Sequence, residues 1–480
     1  MRFVKRALNA MAKLTPAAAW LAASTWLTGA AVAADEAPRP NIVVILADDL
    51  GWGDVGWHGS EIKTPNLDKL AASGARLENF YVQPLCSPTR AAFLTGRYPM
   101  RHGLQVGVVR PWAQYGLPLE ERTLSNALRE AGYETAIAGK WHLGHFRPEY
   151  LPTRRGFDHQ YGHYNGALDY NTHVRDEGHD WHRDDAENHD EGYSTHLIGR
   201  EAARVIADHA TDRPLFLYVP FNAVHGPHQV PPRYKKPYAD LKEPRRTYAG
   251  MLAAMDEEVG RILGAIEQKG IAEKTLVVFS SDNGGPAPGR VTSNGPLRGS
   301  KGTLFEGGVR VAACAAWPGK IKAGSVVEAP LHIVDLFPTF LKLAGATLDQ
   351  PLPLDGRDAW AAIADGAASP HDAILLNSTP RNGAIRVGDW KLIVGQPVGG
   401  GEDDDGPGAD APGADPTPGR AMLFNLADDP NEEHDLAAKH PEKVAELRAK
   451  YDALAAQAIP PKAAPKAPGF RSPRVWGQPD

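Results

Sequence analysis

Two kinds of apolar run alternate along this chain. Asn41-Ile42-Val43-Val44-Ile45-Leu46-Ala47 is continuous and rich in β-branched residues, the pattern of a strand buried on both faces of a parallel sheet, and it breaks off at Asp48-Asp49. The same order of apolar run and polar end returns three times. Thr135 to Gly139 delivers Lys140 and His142, Leu215 to Val219 leads through Asn222 to His225-Gly226-Pro227-His228, and Thr275 to Ser281 runs into Asp282-Asn283-Gly284-Gly285. Between them lie segments of helical period: Thr123 to Ala131 behind a Thr cap, Ser194 to His209, Met251 to Ile266, and Leu331 to Leu343, interrupted by Pro338. Strands alternating with helices predict an α/β fold on a large, mostly parallel, doubly wound sheet flanked by helices. Ligands of such folds collect outside the carboxyl ends of the strands. The four polar clusters are then expected to converge on one rim.

From about Ala373 the pattern shortens. Ile374 to Leu376, Gly383 to Val387, Lys391 to Val394 and Met422 to Leu426 are short strands between turn residues, an antiparallel meander followed by an amphipathic helix from Glu442 to Ala456. The predicted division is a catalytic domain over 38–372 and a smaller C-terminal α+β domain over 373–458. The latter carries a Gly/Asp/Pro-rich surface insertion at 399–419 and is followed by a loosely packed, Pro-rich tail over 459–480. At the other end, Arg2, Lys5, Arg6 and Lys13 precede an apolar stretch and the small-x-small site Ala31-Val32-Ala33. Together they predict a signal peptide over 1–34 and a periplasmic or secreted product with no stable membrane insertion after cleavage.

Composition narrows the function classes. With 480 residues, 42% hydrophobic and 23% charged, the chain is an ordinary globular protein long enough for one large domain and one smaller one. A formal net charge of −6 without a basic stripe argues against a nucleic-acid partner, so an anionic substrate has to meet local positive residues. The chain has only two cysteines, too few for a disulfide framework, which leaves core burial to hold it together. Cys314, within Val309 to Ala315, reads as part of a buried strand.

Cys86 reads differently. In Cys86-Ser87-Pro88-Thr89-Arg90, Ser87 suits a helix N-cap, Pro88 the first helical position, and Gly96 a C-terminal stop. Cys86 then lies at the positive end of a helix dipole with Arg90 about one turn on, a seat for an anion beside a potential nucleophile. An isolated cysteine before a capped helix is more simply a core residue; the rest of the chain changes that weighting. Asp48, Asp49, Asp282 and Asn283 form an all-oxygen set suited to Ca²⁺ or Mg²⁺, although one Asp-Asp after a strand is more often a turn or cap. Arg90, Lys140, His142, His225 and Lys301 form a positive set, each after an apolar strand or in a Gly-rich loop such as Leu297 to Gly302. Fixed cations there would stabilise charge developing on an ester's oxygens. The histidines from His159 to His196 have no clean metal-site spacing and read as a polar loop, contacting substrate or simply solvated. Arg154, Arg155, Arg175 and Arg183 are available for a carboxylate or another anionic group, or stand as solvated loop charges.

The pattern Cys-x-Pro-x-Arg resembles the motif in which sulfatases oxidise a cysteine to Cα-formylglycine, with Ser87-Pro88-Thr89 where the family commonly has Thr-Pro-Ser. Further matching stretches are Asp48 to Asp54, Gly132 to Thr135, Gly139 to Gly144, Ser281 to Gly285, Gly299 to Lys301 and Leu423-Phe424-Asn425-Leu426. Over nearly the whole mature chain the sequence resembles type I sulfatases of the alkaline-phosphatase superfamily. It is most similar to arylsulfatase B-like enzymes, which are N-acetylgalactosamine-4-sulfatases, a subgroup supported by Gly156-Phe157-Asp158 and Asp169-Tyr170.

The resemblance implies an alkaline-phosphatase-like fold and Ca²⁺ (Mg²⁺ as the runner-up) held by Asp48, Asp49, Asp282, Asn283 and the modified residue 86. It implies attack by a formylglycine gem-diol through a covalent sulfo-enzyme, with Arg90, Lys140, His142, His225 and Lys301 as partners. It also implies a formylglycine-generating enzyme as a partner before or during export, and a sulfated saccharide or aryl sulfate as substrate. The competing readings are a phosphomonoesterase or phosphonate-ester hydrolase of the same superfamily, and a silent exported glycan-binding protein whose Cys86 is never converted.

Overall fold

Seven consecutive buried residues, Asn41–Ala47, need cover on both faces, and in the computed structural model they form the strand β1 inside a three-layer α/β/α arrangement. Ile42, Val44 and Leu46 enter one hydrophobic core; Val43, Ile45 and Ala47 enter the other. The structure describes residues 39–377, 382–395, 421–463 and 465–478, so the predicted signal peptide at 1–34 and the insertion at 399–419 lie outside the described residues.

β1 lies within a ten-stranded mixed sheet whose other strands are β2 (Ala75–Leu77), β3 (Glu134–Lys140), β4 (His159–His163), β5 (His182–Arg183), β6 (Ala186–Glu187), β7 (Leu215–Pro220), β8 (Thr275–Ser281), β9 (Ala313–Ala316) and β10 (Ser325–Val327). The order is β10-β2-β9-β8-β1-β7-β3-β4-β5-β6, and the central run β8-β1-β7-β3-β4 is parallel throughout. Register decides what this rim can do. Ala47 pairs with Ser281 and Leu46 with Pro220, so the polar residues that follow β1, β7 and β8 emerge side by side.

The helices supply the outer layers. α1 (Pro65–Ser73), α4 (Ser194–Asp208) and α5 (Arg245–Lys269) cover one face; α2 (Cys86–Thr95), α3 (Leu124–Glu130) and α6 (Leu336–Leu343) cover the other. α5 carries the expected stripe of Met251, Leu252, Met255, Val259, Ile262 and Ile266, all buried, but begins earlier, at Arg245. Thr123 caps α3 as expected, its side chain accepting from Asn126 N.

Three local expectations are corrected. α2 starts at Cys86 with Leu85 as its N-cap, because Ser87 Oγ is engaged elsewhere: it donates to His142 O at 2.8 Å and accepts from Val109 N at 3.0 Å. Gly96 does end the helix, in the left-handed conformation at φ 66. Pro338 does not interrupt a helix, since Leu331–His332 is a short strand, Ile333–Asp335 a 3-10 turn, and Pro338 falls in the first turn of α6, where its missing N–H costs nothing. Of the expected strand from Val309 to Ala315 only the end survives, as β9, because Glu306–Val309 forms a helical turn.

Residues after 373 form the expected antiparallel meander, β11 (Ile374–Asn377), β12 (Gly383–Val387), β13 (Trp390–Val394) and β14 (Ala421–Asn425), with α7 (Pro441–Ala455) against it. Leu375, Ile385 and Leu392 join the first core; Ala384, Ile393 and Phe424 pack with Leu304 and Phe305 of the loop that follows Lys301. Most described residues of the tail are exposed, and its end is anchored. Val475 and Trp476 are buried, Trp476 Nε1 donates to Arg175 O at 2.8 Å, and Trp476 N donates to His179 O at 2.9 Å. Among the described residues, no helix is long and apolar enough to cross a membrane.

Candidate active site

The level carboxyl ends of β1 and β8 set Asp48 and Asp49 beside Asp282 and Asn283. Asp48 N donates to Ala223 O at 3.0 Å and Asp282 N to Ala47 O at 3.0 Å, so backbone bonds hold both pairs to the sheet. Asp49 takes a left-handed conformation, φ 64, which turns the chain sharply off the strand end. Asn283 Nδ2 donates to Asp49 Oδ1 at 2.7 Å and to Gly284 O at 3.0 Å, which leaves its Oδ1 aimed at the first residue of α2. There, Cys86 Sγ lies 3.3 Å from Asn283 Oδ1 and 3.4 Å from Asp48 Oδ1.

The cations close around this group. Arg90 Nε and Nη2 both donate to Asp282 Oδ2, at 3.1 and 2.7 Å, Nη1 donates to Lys140 O at 3.2 Å, and Nη2 lies 3.5 Å from Asp48 Oδ2. Lys140 Nζ reaches Asp48 Oδ2 at 2.5 Å. It is delivered by β3 through Gly139, at φ 137, where a Cβ would run into Pro220 O. Lys301 Nζ lies 2.9 and 3.0 Å from the two oxygens of Asp49, and His225 Nε2 lies 3.6 Å from Asp49 Oδ2. His142 joins through its surroundings: its carbonyl accepts Ser87 Oγ, and its Nε2 lies 3.1 Å from Val109 O. The rim therefore brings together Asp48, Asp49, Asp282, Asn283, Cys86, Arg90, Lys140, Lys301 and His225, with His142 joined to the start of α2 through Ser87.

Chemistry follows from the burial. Asp48, Asp49, Asp282 and Cys86 are all buried and their ligand atoms lie within 4.8 Å of one another, a group able to hold a metal ion. Three buried carboxylates this close repel unless cations intervene, and Asp48 Oδ1 and Asn283 Oδ1 converge on the Cys86 thiol as acceptors, so the donor set fits a hard, oxygen-seeking cation. Burial, then the charges of Asp282 and Asp48, push the Cys86 thiol well above its ordinary pKa. As a cysteine, residue 86 is a poor nucleophile here, because the thiolate is the reactive form.

Several histidines of the loop are engaged within the protein. His159 bonds Asp184 and Glu201, His182 lies 3.2 Å from Asp180, and His196 bonds Glu258 at 2.8 Å. The four arginines read as available to a second anion or as solvated loop charges also have partners, Arg154 staying largely exposed. Arg155 donates to the carbonyls of Leu117, Pro118 and Glu121, Arg183 pairs with Glu201, Arg154 with Asp185 and Arg175 with Asp176. What sequence reasoning passed over is Arg290, which with His228 lines a cavity shared with Asp49. The signal was present: Arg290, like Lys301, is a charged residue in the Gly/Pro-rich stretch after β8.

A doubly wound sheet with a carboxylate-rich metal-ligating group and fixed cations at its carboxyl rim defines a hydrolase for esters of a tetrahedral oxyanion. The family model described as Sulfatase matches residues 40–346, more than half of the chain, and the protein belongs to that family, the formylglycine-type sulfatases of the alkaline-phosphatase superfamily. The chain is 40% identical to arylsulfatase J of Mus musculus, over 92% of its own length and 80% of that protein's. It is 38% identical to N-acetylgalactosamine-6-sulfatase of Canis lupus familiaris, over 71% and 69%. Among solved structures, Ps i-CgsB in complex with k-i-k-neocarrahexaose matches with a TM-score of 0.78 and 31% identity, over 88% of this chain and 94% of that one. The protein is thus a sulfuric ester hydrolase.

Proposed function

We propose that the enzyme desulfates a sulfated carbohydrate, using a formylglycine formed from Cys86 and a Ca²⁺ ion held by Asp48, Asp49, Asp282, Asn283 and residue 86. The observation that carries this reading is the setting of Cys86: fully buried, at the start of α2, 3.3 to 3.4 Å from two of the metal-ligating side chains, with a thiol whose ionisation is suppressed. Formylglycine, as its hydrate, would supply a geminal pair of hydroxyls as the nucleophilic group there, and Ca²⁺ would supply Lewis-acid polarisation.

The chain's own residues do the rest. Arg90 and Lys140, paired with Asp282 and Asp48, set positive charge beside residue 86. Lys301 and His225, on the outer side of Asp49, bind the sulfate oxygens, and His225 gives a proton to the departing alcohol oxygen. His142, linked to α2 through Ser87, assists the proton loss that releases sulfate.

A carbohydrate is favoured by the relatives' names, which include an N-acetylgalactosamine sulfatase and a carrageenan-oligosaccharide complex, and by the polar character of the loops around the rim. Within that class we favour a sulfated N-acetylgalactosamine or related hexose, in keeping with the arylsulfatase B-like motifs. The basic, apolar and Ala31-Val32-Ala33 segments support export. The test is a panel of defined sulfated saccharides with simple aryl sulfates and matched phosphate esters, beside peptide mass spectrometry of residue 86. Saccharide desulfation with an aldehyde at 86 is expected. Full activity with an unmodified thiol there overturns the mechanism, and refusal of every saccharide overturns the substrate class.

A further inference from the structure

A cavity of about 250 Å³ opens beside Asp49, walled by Pro227, Pro286 and Ala287 and carrying His228 and Arg290. Asp49 ties it to the reaction, since the same carboxylate meets Lys301 and His225. The cavity therefore adjoins the side of the rim from which the alcohol departs. Its walls and its charge differ in kind. Proline rings and an alanine offer the flat apolar surface that lies against a sugar ring, whereas Arg290 is an exposed guanidinium suited to paired hydrogen bonds with a carboxylate or sulfate. His228, half-buried with its ring edge-on to Tyr248 at 6.3 Å, adds a second donor on the same wall.

Arg90, Lys140 and Lys301, bonded to Asp282, Asp48 and Asp49, are gathered about residue 86 and the scissile sulfate. The chain's formal net charge of −6 gives a polyanion no general attraction, so its binding depends on local cations of this kind.

We propose that Arg290, assisted by His228, binds a second anionic group, a sulfate ester or a uronate carboxylate, on the sugar that carries the scissile sulfate or on its neighbour. The preferred substrate class is thus a doubly anionic saccharide. This rests on the saccharide-sulfatase reading above.

The test uses the full-length, formylglycine-bearing enzyme and four substrates: p-nitrophenyl sulfate, a monosulfated saccharide, the same saccharide with a second sulfate, and a monosulfated disaccharide that contains a uronate. The wild type is expected to favour one or both doubly anionic compounds through a lower KM. Arg290→Ala should collapse that preference, measured as the ratio of kcat/KM between doubly and singly anionic saccharides, by about ten- to hundredfold, through KM and not kcat. Arg290→Lys should recover part of it, and the arm that suffers more, disulfated or uronate, names the second group. No preference in the wild type, or an Arg290→Ala loss equal on singly and doubly anionic saccharides, overturns the subsite while leaving the saccharide reading intact. Turnover of p-nitrophenyl sulfate with every saccharide refused is a different result: it removes the parent reading and this one together.

Discussion

Residue by residue, the rim is a balance of buried charges, and its predictions are losses of balance. Asp282 holds both Arg90 and a metal position. Asp282→Asn is expected to lower bound metal, read by elemental analysis, and turnover together; full turnover with metal absent would refute the assignment. Lys301→Ala and His225→Ala should each lower turnover of a sugar sulfate by roughly two to three orders of magnitude, the usual loss for one pre-organised electrostatic group. The His225 loss should shrink on an aryl sulfate, whose leaving group needs little protonation. Away from the site, burial, then Arg97 and Lys462, pushes His102 down to about 3. The unfolded chain takes up that proton near pH 6.5 and the fold refuses it until about pH 3, so stability falls with pH across that window. Between pH 7 and pH 5 this one residue should cost roughly 2 kcal/mol. His102→Leu should remove that share of the acid sensitivity in urea titrations at the two pH values, and an identical pH dependence in both proteins would refute it.

At the level of elements, the small sheet is a support for the catalytic loop. Lys391 on β13 lies between Glu306, at 2.8 Å, and Glu432, at 2.9 Å, and all three are buried. Burial, against the pull of Lys391, pushes the Glu432 carboxyl up to about 7. Glu432 in turn accepts Glu306 N at 2.6 Å, and its carbonyl accepts Arg298 Nη1 at 2.7 Å, which pins both ends of the stretch that holds Lys301. Lys391→Met leaves two glutamates facing each other without their cation. It should cost about 3–5 kcal/mol by urea unfolding, with a fall in turnover as the Lys301 loop slackens. A change below about 1 kcal/mol, the scale of an exposed pair, would show that the network is dispensable.

Across the whole molecule, the chain's last residues return to the catalytic half. Val475 and Trp476 dock on Arg175 and His179, and Arg474 pairs with Glu187. Near 460 the tail also bonds back, with Ile459 N on Met100 O at 3.0 Å and Lys462 N on Gly103 O at 2.7 Å. The sheet cores do not depend on these contacts, so their loss should open one region only. Trp476→Ala is expected to expose the 173–190 hairpins to limited proteolysis while the main unfolding transition keeps its slope and midpoint. Equal protection of those hairpins in both proteins would overturn this.

Much of this architecture was legible because burial on two faces writes itself into consecutive residues. Asn41–Ala47 and Thr275–Ser281 are strands with the bounds their apolar runs predict, and the polar residues at their ends are the ones the rim assembles. Asp48, Asp49, Asp282, Asn283, Lys140 and His225 were readable because polar residues just after a doubly buried strand have few structural uses, and Cys86, Arg90 and Lys301 because a helix start and a Gly-rich loop carry them. Features that depend on distant partners were not readable. Ser87 is drawn from capping by His142 O and Val109 N, residues 55 and 22 positions away. Several histidines of the loop are engaged because Asp180, Glu201 and Glu258 fold onto it, and the end of a Pro/Ala/Lys-rich tail is anchored because one tryptophan finds a carbonyl 301 residues upstream. Local period and chemistry thus determined the elements and the polar groups that gather at the rim. Only the tertiary structure decided which charges were already spent on one another, and that Arg290, of the arginines near the rim, lines the cavity beside Asp49.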